Sequence, residues 1–235
     1  MQYYGGSKLL LFDIGNTRTK VRVITNSSKK DYSFPTCEIE NQIKEFNPQS
    51  LALVASVVEE ANKIIKNYFS KTKFVNCNLN LPIKINYSSP EKLGPDRIAL
   101  ACGGLSYENS FIVISAGTTT VIDIVKEKTF LGGWILPGIQ LSSQCLNKFT
   151  SKLPLITSFQ PLNIYAPGTS TNECIQKGIL LFTISTIKEI QKKYNLPTLL
   201  TGGNGKLLTN YIKAKFIENL TLIGLETIAN FSSLP

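Results

Sequence analysis

Two stretches of the 235-residue chain follow the same plan, and this repeat constrains the fold more than any other feature. Residues 9–24 (LLLFDIGNTRTKVRVI) and 111–125 (FIVISAGTTTVIDIV) each contain an apolar strand, a small polar stop, a turn of the form x-G-[NT]-T and a second β-branched strand. When Gly15 and Gly117 are superposed, Thr17 falls on Thr119. The repeat predicts two related halves, residues 1–106 and 107–235, which face each other across a cleft.

Strand-like and helix-like patterns alternate along the whole chain. The pattern predicts strands at residues 8–12, 20–25, 51–56, 111–115, 120–125 and 198–201. It predicts helices at residues 38–45, 59–69, 97–108, 141–150, 171–194, 205–212 and 225–231. Strands that alternate with helices indicate an α/β fold with helix-covered sheets.

Composition is typical of a globular protein, with 43% hydrophobic and 17% charged residues. No apolar run reaches the roughly 18 residues that a membrane-spanning helix needs. The N-terminal residues MQYYGGSK lack the basic region, the apolar region and the cleavage site of a signal peptide. We therefore expect a cytoplasmic protein without a membrane partner.

The residue types present restrict the chemistry. The chain has no histidine, which excludes Ser-His-Asp and Cys-His catalysis and histidine-ligated metals. Acid–base catalysis must therefore use Asp, Glu, Lys or Tyr. The five cysteines are widely spaced and form no CxxC pair, so reduced and mostly buried thiols are expected rather than a zinc site or disulfides.

A formal net charge of +9 raises the question of nucleic-acid binding. The lysines, however, are scattered in ones and twos, without a basic helix face or a recognisable DNA- or RNA-binding motif. A solvated surface that attracts anionic substrates is the better interpretation. We expect no nucleic-acid partner.

The turn after the first strand carries groups suited to binding phosphate. Gly15 allows a ligand to approach the backbone, and residues 16–20 add amide, hydroxyl and cationic donors. An ordinary β-hairpin would use the same residues, but the second copy favours a nucleotide clamped between the halves. Asp13 would repel phosphate unless a cation lay between them, so we interpret it as a ligand of Mg²⁺, direct or through water. The alternative is that Asp13 caps its own turn.

The segment TGGNGKLL, residues 201–208, resembles a P-loop at first sight, but Leu200 and Leu207 stand where that motif needs Gly and Ser or Thr. A glycine-rich turn between a strand and a helix nevertheless suits close approach by the sugar or base of a nucleotide.

A second acidic site lies in EKLGPDR, residues 91–97. Gly94 and Pro95 mark a turn, and Asp96 and Arg97 follow it. Asp96 either caps the helix that begins near Arg97, or accepts a proton from a substrate hydroxyl while Arg97 binds an anionic group of that substrate. The physical chemistry of these residues leaves both interpretations open.

Six motifs, in this order, resemble those of type III pantothenate kinases: DIGNTRTK, EKLGPDR, AGTTT, GGWILPG, TSTNECIQKG and TGGNG. That family belongs to the superfamily of acetate and sugar kinases and actin. The resemblance therefore implies an α/β fold of two ribonuclease H-like (actin-like ATPase) domains related by duplication, with the active-site cleft between them. It also implies ATP-dependent phosphorylation of pantothenate to 4′-phosphopantothenate, the first step of coenzyme A biosynthesis. The enzyme would be a homodimer that depends on a divalent metal and on a monovalent cation, K⁺ or NH₄⁺.

The resemblance also implies roles for individual residues. Asp96 would be the general base, and Arg97 would face the pantothenate carboxylate. The implied ATP-binding residues are Asp13, Ile14, Gly15, Asn16, Thr17, Arg18, Thr19, Lys20 and Thr118, with Asp13 near Mg²⁺ and with Gly202 and Gly203 near adenosine. The implied substrate-binding residues are Tyr87, Gly94, Pro95, Asp96, Arg97 and Thr171.

The chain departs from the family pattern at Ser115, where the second phosphate motif of the family has an aspartate that helps to bind the monovalent cation. Serine keeps an oxygen but loses the charge, so we expect a considerably weakened cation site. Two other functions stay open from the sequence. One is a nucleotide-binding regulatory protein of the same fold without kinase activity, and the other is a kinase for another small alcohol or acid.

Overall fold

The computed structural model describes residues 9–233 and divides into two compact units. The first unit runs to Asn109 and also includes residues 126–131 and the C-terminal residues from Asn219 onwards. The second unit comprises Ser110–Val125 and Gly132–Glu218. Lys8, which the pattern places at the start of the first strand, and the segment MQYYGGS before it lie outside the described residues.

The sheet of the first unit has a central pair of parallel strands and an antiparallel hairpin on one side. Its strands are β1 (Leu9–Ile14), β2 (Arg18–Ile24), β3 (Lys29–Pro35), β4 (Leu51–Ser56) and β5 (Lys71–Phe74). The order is β3-β2-β1-β4-β5, with β1 antiparallel to β2 and parallel to β4. Strands β1 and β4 are apolar along most of their length because both faces of the sheet are covered, and their side chains are mostly buried.

The second sheet is built around the second copy of the repeat. Its strands are β6 (Lys84–Ile85), β7 (Phe111–Ala116), β8 (Thr119–Lys126), β9 (Thr129–Pro137), β10 (Thr198–Thr201) and β11 (Lys215–Phe216). The order is β11-β10-β7-β8-β9, and β6 pairs with the first residues of β9. Strand β7 is antiparallel to β8 and parallel to β10, which matches the roles of β1, β2 and β4.

Helices cover both sheets. They are α1 (Ile39–Gln42), α2 (Glu59–Tyr68), α3 (Pro95–Gly104), α4 (Ile139–Phe149), α5 (Thr171–Tyr194), α6 (Gly205–Leu208) and α7 (Leu220–Phe231), with short 3₁₀ turns at Thr36–Glu38, Ile43–Glu45 and Pro90–Lys92. In the first unit, Phe12 packs against Phe46 and Phe69, with ring centres 6.0 and 5.5 Å apart. In the second unit, Ile114 and Ile122 join residues of α5 such as Ile184 in one buried cluster. Each sheet therefore has its own core.

The predicted α/β architecture is confirmed, and several elements have the predicted bounds. Residues 51–56, 198–201 and 171–194 form β4, β10 and α5 as the pattern predicts. The pattern does not predict β3, β5 and β9, because charged side chains line the first two and a Gly-Gly pair interrupts the third. Helix α7 begins at Leu220, more than a turn before the predicted residue 225.

The C-terminal helix joins the first unit, although the sequence-based division places it in residues 107–235. Helix α7 packs along α3 and also contacts β1 and β4. Its buried face, which includes Leu222 and Leu225, thus completes the core of the first unit rather than that of the second. The two units are therefore not consecutive in the chain.

The cysteines differ from the expectation. All five are free thiols, but Cys37, Cys145 and Cys174 are exposed and Cys77 is partly exposed, so the expectation of mostly buried thiols is wrong. Only Cys102 among them is buried, and burial raises the pKa of its thiol to about 12. Among residues 9–233, no helix is both long enough and apolar enough to cross a membrane.

Candidate active site

The turn Gly15–Thr17 connects β1 to β2 and is fixed by Thr36. The Gly15 backbone N–H donates to the Arg18 carbonyl oxygen at 3.1 Å, which closes the turn. The Thr36 N–H donates to the Thr17 carbonyl oxygen at 3.1 Å, and the Thr36 hydroxyl donates to the Gly15 carbonyl oxygen at 2.7 Å. The buried Thr19 hydroxyl lies 3.1 Å from the Thr36 hydroxyl. Asn16, Thr17 and Arg18 are exposed at this turn, as a ligand-binding loop requires.

Asp13 and Lys20 are cross-strand neighbours at the mouth of this turn. Burial raises the pKa of the Asp13 carboxyl to about 6, and the negative charge of Asp96 acts in the same direction. The Lys20 charge and a hydrogen bond from Thr221 oppose this rise in pKa. The site therefore combines two carboxylates and one ammonium group in the first unit.

Asp96 lies in the first turn of α3, whose N-cap is Gly94. The interpretation that Asp96 is the N-cap residue is wrong, because the helix begins one residue earlier, at Pro95. The Asp96 carboxylate nevertheless accepts hydrogen bonds from the backbone N–H groups of Arg97 and of Asp96 itself, which lower its pKa, while burial has the larger effect and raises it. A Cβ atom on Gly94 would lie 2.5 Å from Asp96 Oδ1, so glycine leaves space for this carboxylate.

Arg97 is buried between two aromatic rings. Its guanidinium carbon lies 5.7 Å from the centre of the Tyr87 ring and 5.4 Å from the centre of the Phe130 ring. These two rings meet edge to face, with centres 6.0 Å apart. The aromatic faces attract the cation and restrict its orientation. Arg97 is thus a rigidly held cation beside the Asp96 carboxylate.

The oxygen donors of the first unit suit a hard divalent cation. Among residues 9–233, no group of three or more His, Cys, Asp or Glu side chains is arranged to hold a metal ion. Mg²⁺ in nucleotide sites needs fewer protein ligands, because it is held by one or two carboxylates together with water and phosphate oxygens. Asp13, with Asp96 close enough to affect its pKa, fits that requirement.

The corresponding turn of the second unit lies beside two glycines. The Gly117 N–H donates to the Thr119 carbonyl oxygen at 3.0 Å, and Thr118 is exposed. A Cβ atom on Gly138 would lie 2.3 Å from the Thr118 carbonyl oxygen, and one on Gly202 would lie 2.5 Å from the Ala116 carbonyl oxygen. Gly202 also has a positive φ of 96°, a conformation that glycine adopts without strain. The segment of Gly202 and Gly203 therefore runs next to the turn that contains Thr118.

Ser115 occupies the position in β7 that Asp13 occupies in β1. The cross-strand neighbour of Ser115 is Val121, whereas that of Asp13 is Lys20. Ser115 is also level with Thr201 on the parallel strand β10. The second copy thus has neither the acid nor the base of this pair, and Ser115 and Thr201 supply hydroxyl groups instead.

Thr171 is the exposed first residue of α5 and lies at the edge of an apolar groove of about 700 Å³ between α4 and α5. The Glu173 carboxylate accepts hydrogen bonds from the Thr169 N–H and hydroxyl, both at 2.9 Å, and Glu173 also pairs with the buried Lys177 at 2.6 Å. The Lys177 ammonium donates to the Pro167 carbonyl oxygen at 3.1 Å. This network fixes the loop that precedes Thr171.

The structure brings Asp13, Lys20, Asp96 and Arg97 together in the first unit, while Ser115, Thr118 and Thr171 lie in the second. Four contributing residues were not predicted from the sequence: Thr36, Phe130, Asn219 and Thr221. All four act through contacts between segments that are distant in sequence, which no local pattern reveals.

Comparison with protein families gives a match over most of the chain. The sequence profile of the family described as type III pantothenate kinase matches residues 9–193. A type III pantothenate kinase of Aquifex aeolicus (strain VF5) is 33% identical over 213 residues, covering 87% of this chain and 90% of the relative. One of Thermosipho africanus (strain TCF52B) is 31% identical over 245 residues, covering 95% and 97%.

Solved structures support the same architecture. A Campylobacter jejuni protein described as a Baf family transcriptional activator superposes with a TM-score of 0.69 at 24% identity, covering 94% of this chain and 97% of that one. An archaeal actin homologue superposes with a TM-score of 0.52 at 11% identity, covering 94% and 99%. At these identities the likeness concerns the fold alone, and it agrees with two domains of the kind found in actin.

Proposed function

The chain belongs to the type III pantothenate kinase family, and we propose that it transfers the γ-phosphoryl group of ATP to the primary alcohol of pantothenate. The product, 4′-phosphopantothenate, is that of the first step of coenzyme A biosynthesis. The observation that supports the residue assignment is the arrangement of Asp96 and Arg97 at the start of α3, with Asp13 close to Asp96. The proposal includes a cytoplasmic enzyme without membrane or nucleic-acid partners.

Asp96 would act as the general base. Its carboxylate is held by backbone N–H groups in the first turn of α3, and burial raises its pKa towards the range in which a base can accept a proton efficiently. It would orient the pantothenate hydroxyl and accept its proton while the hydroxyl oxygen attacks the γ-phosphorus in line. The bond from phosphorus to the bridging oxygen of ADP breaks in the same step.

The β1–β2 turn would bind the ATP phosphates. Asn16, Thr17 and Arg18 are exposed in this turn. Gly15 precedes them and, having no side chain, allows a ligand to approach the backbone. The Lys20 ammonium would offset charge on the phosphate oxygens, since phosphoryl transfer depends mainly on positioning and electrostatics. Asp13 would hold Mg²⁺, directly or through water, and the metal would supply positive charge that offsets the charge of the phosphate oxygens.

In the second unit, Thr118 would contact ATP, and the glycines at 202 and 203 would lie against adenosine. Gly202 packs on the backbone of Ala116, whereas a Cβ atom on Gly203 would meet nothing within 4 Å, so the approach to Gly203 is open. An open glycine next to the Thr118 turn suits close approach by a base or a ribose.

Arg97 would bind the pantothenate carboxylate. Tyr87 and Phe130 hold its guanidinium from two directions, so little side-chain freedom is lost when a carboxylate is bound. Tyr87, Gly94 and Pro95 would complete this subsite, and Thr171 would contact pantothenate from the start of α5. Recognition of the carboxylate would distinguish pantothenate from uncharged alcohols.

We propose a homodimer, formed through the groove between α4 and α5. Phe149 and Phe182 line this groove and are 77% and 53% exposed, and Cys145 and Cys174 lie beside them. Exposed aromatic side chains around an apolar groove are typical of a surface that another protein covers. A second copy is the occupant that the family resemblance implies. Because Thr171 lies at the edge of the same groove, dimer formation would complete the pantothenate site.

Ser115 makes strong activation by a monovalent cation unfavourable in this proposal. A hydroxyl replaces the carboxylate, and Val121 opposite adds no ligand. We therefore propose that turnover depends at most weakly on K⁺ or NH₄⁺.

A coupled assay that follows ADP release tests the proposed function. Turnover with ATP and pantothenate is expected, and omission of pantothenate should reduce ADP release to background. Binding of ATP without turnover would instead indicate the regulatory protein of the same fold. Turnover only with other small alcohols or acids would overturn the substrate assignment while leaving the kinase assignment in place.

A further inference from the structure

Helix α7 begins next to the β1–β2 turn, at a position that the sequence pattern does not predict. Its N-cap, Asn219, has a left-handed backbone conformation with φ 55° and ψ 36°. Asn219 is also the residue at which the chain re-enters the first unit. The first turn of α7, residues 219–222, thereby brings Asn219 and Thr221 to the ends of β1 and β2.

Asn219 bridges a cation and an anion. The Lys20 ammonium donates to Asn219 Oδ1 at 2.9 Å, and Asn219 Nδ2 donates to Asp31 Oδ2 at 3.0 Å. A rotated amide would place its NH₂ group against the ammonium and its oxygen against the carboxylate, so the two neighbours fix one orientation. The Asn219 side chain therefore selects one position for the end of the flexible Lys20 side chain.

Thr221 acts on the other member of the pair. Its hydroxyl donates a hydrogen bond to the Asp13 carboxylate. Asp13 and Lys20 are cross-strand neighbours, so a single helical turn contacts both charged groups at the mouth of the β1–β2 turn.

Ion pairs fix α7 to the hairpin of β2 and β3. Arg22 on β2 donates to both oxygens of Asp31, each at 2.8 Å, and also pairs with Glu226 of α7 at 3.1 Å. Lys29 pairs with the other oxygen of Glu226. These ion pairs link α7 to the hairpin of β2 and β3 one and a half turns after Thr221. Movement of the helix relative to Asp13 and Lys20 is therefore restrained.

We propose that Asn219 and Thr221 are positioning residues, which hold Lys20 and Asp13 in the arrangement that binds the phosphates of ATP with its metal. The inference rests on the proposed function, in which Asp13 and Lys20 face the nucleotide. Hydrogen bonds to charged groups stabilise more than those between neutral groups. Loss of either contact is expected to weaken nucleotide binding about tenfold, and to leave pantothenate recognition by Arg97 unchanged.

Four variants separate positioning from structure. Asn219→Gly removes the amide and keeps a residue that adopts positive φ readily. Thr221→Val removes the hydroxyl at nearly constant shape, and Thr221→Ser retains a hydroxyl. The matched control is Asn195→Gly at the C-terminal end of α5, where an asparagine has a similar φ of 48°.

The main measurement is the Kd of a non-hydrolysable ATP analogue with Mg²⁺, by calorimetry, so that the result does not require turnover. KM values for ATP and pantothenate and the melting temperature complete the set. Asn219→Gly and Thr221→Val should raise the Kd of the analogue and the KM for ATP about tenfold, with the KM for pantothenate within about twofold of wild type. Thr221→Ser and Asn195→Gly should keep the wild-type Kd.

An analogue Kd within about twofold of wild type in both Asn219→Gly and Thr221→Val would overturn the proposal. An equal loss for ATP and pantothenate together with a lower melting temperature would also overturn it, because a purely structural role predicts that result. A protein that binds the analogue but does not phosphorylate pantothenate would refute the proposed function alone, and the Kd values would still decide the role of Asn219 and Thr221.

Discussion

Gly103 of α3 and Gly224 of α7 lie against each other, so that a Cβ atom on Gly103 would be 3.2 Å from the Gly224 Cα and 2.4 Å from the Leu220 carbonyl oxygen. A Cβ atom on Gly224 would be 1.7 Å from the Ala99 carbonyl oxygen. The two helix backbones are therefore in direct contact. Helix α3 carries Asp96 and Arg97, and α7 carries Thr221, so this contact connects two parts of the candidate site.

Gly224→Ala should destabilise the protein by about 3 kcal/mol, because the added methyl group meets backbone that cannot move aside without separating the helices. Helix propensity alone would favour alanine by roughly 1 kcal/mol, so the sign of the result is informative. Asn230→Ala, at an exposed position of the same helix, is the matched control and should change stability by less than about 0.5 kcal/mol. Urea denaturation measures both, and a Gly224→Ala protein as stable as wild type would show that the helices are not in close contact.

The sequence predicts the fold well where the apolar pattern is local and regular. Strand β4 has the predicted bounds because it is apolar along nearly its whole length, and helix α5 because its buried residues recur at helical spacing. Charged edge strands such as β3 and β5 lack that pattern, since only the partner strand makes them strands. Asp13 and Asp96 are recognisable from their motifs, whereas Phe130 and Thr221 approach them only after the chain has folded.

Asp96→Asn should reduce kcat by about 10²- to 10⁴-fold, the usual contribution of a general base. Folding should not suffer. Burial raises the pKa of Asp96 above its value in the unfolded chain, so the folded protein binds this proton more tightly. The free energy of unfolding therefore falls as the pH rises from the unfolded-state pKa through the folded-state pKa. The neutral amide avoids this loss, and the melting temperature of the variant should equal or exceed that of wild type at pH 8 and fall closer to it at pH 4. Coupled assays and thermal denaturation test both parts, and wild-type turnover in the variant would eliminate Asp96 as the base.

Phe130→Leu should raise the KM for pantothenate about fivefold to tenfold and leave the KM for ATP within about twofold. The substitution removes one of the two rings that hold the Arg97 guanidinium, a contact worth about 1–2 kcal/mol when it is desolvated. Phe111→Leu is the control, because Phe111 is also fully buried but lies in β7 of the second unit. Both variants should lose about 1 kcal/mol of stability. Equal KM values in the two variants would argue against a role of Phe130 in carboxylate recognition.

Ser115→Asp should create the dependence on K⁺ that the wild-type protein is expected to lack. The new carboxylate would face Val121 rather than a cation, so it should lower the melting temperature in choline buffer and regain stability when K⁺ binds. Ser115→Asn, which has the same shape without charge, should respond equally to K⁺ and to choline at constant ionic strength. Melting temperatures and turnover in both salts are the measurements. Strong K⁺ activation of the wild-type enzyme would show that Ser115 and its neighbours suffice as ligands.

Phe182→Ser should convert a dimeric protein into monomers, because Phe182 lines the apolar groove that we assign to the second copy. Phe231→Ser is a matched control, since Phe231 is 50% exposed and Phe182 is 53% exposed, but Phe231 lies at the end of α7 in the first unit. Sedimentation velocity should show monomers only for Phe182→Ser. In the wild-type dimer, Cys145 and Cys174 should react with a maleimide more slowly than the exposed Cys37, and this protection should disappear in Phe182→Ser. A dimer that survives the substitution with both cysteines reactive would place the interface elsewhere and would leave Thr171 outside it.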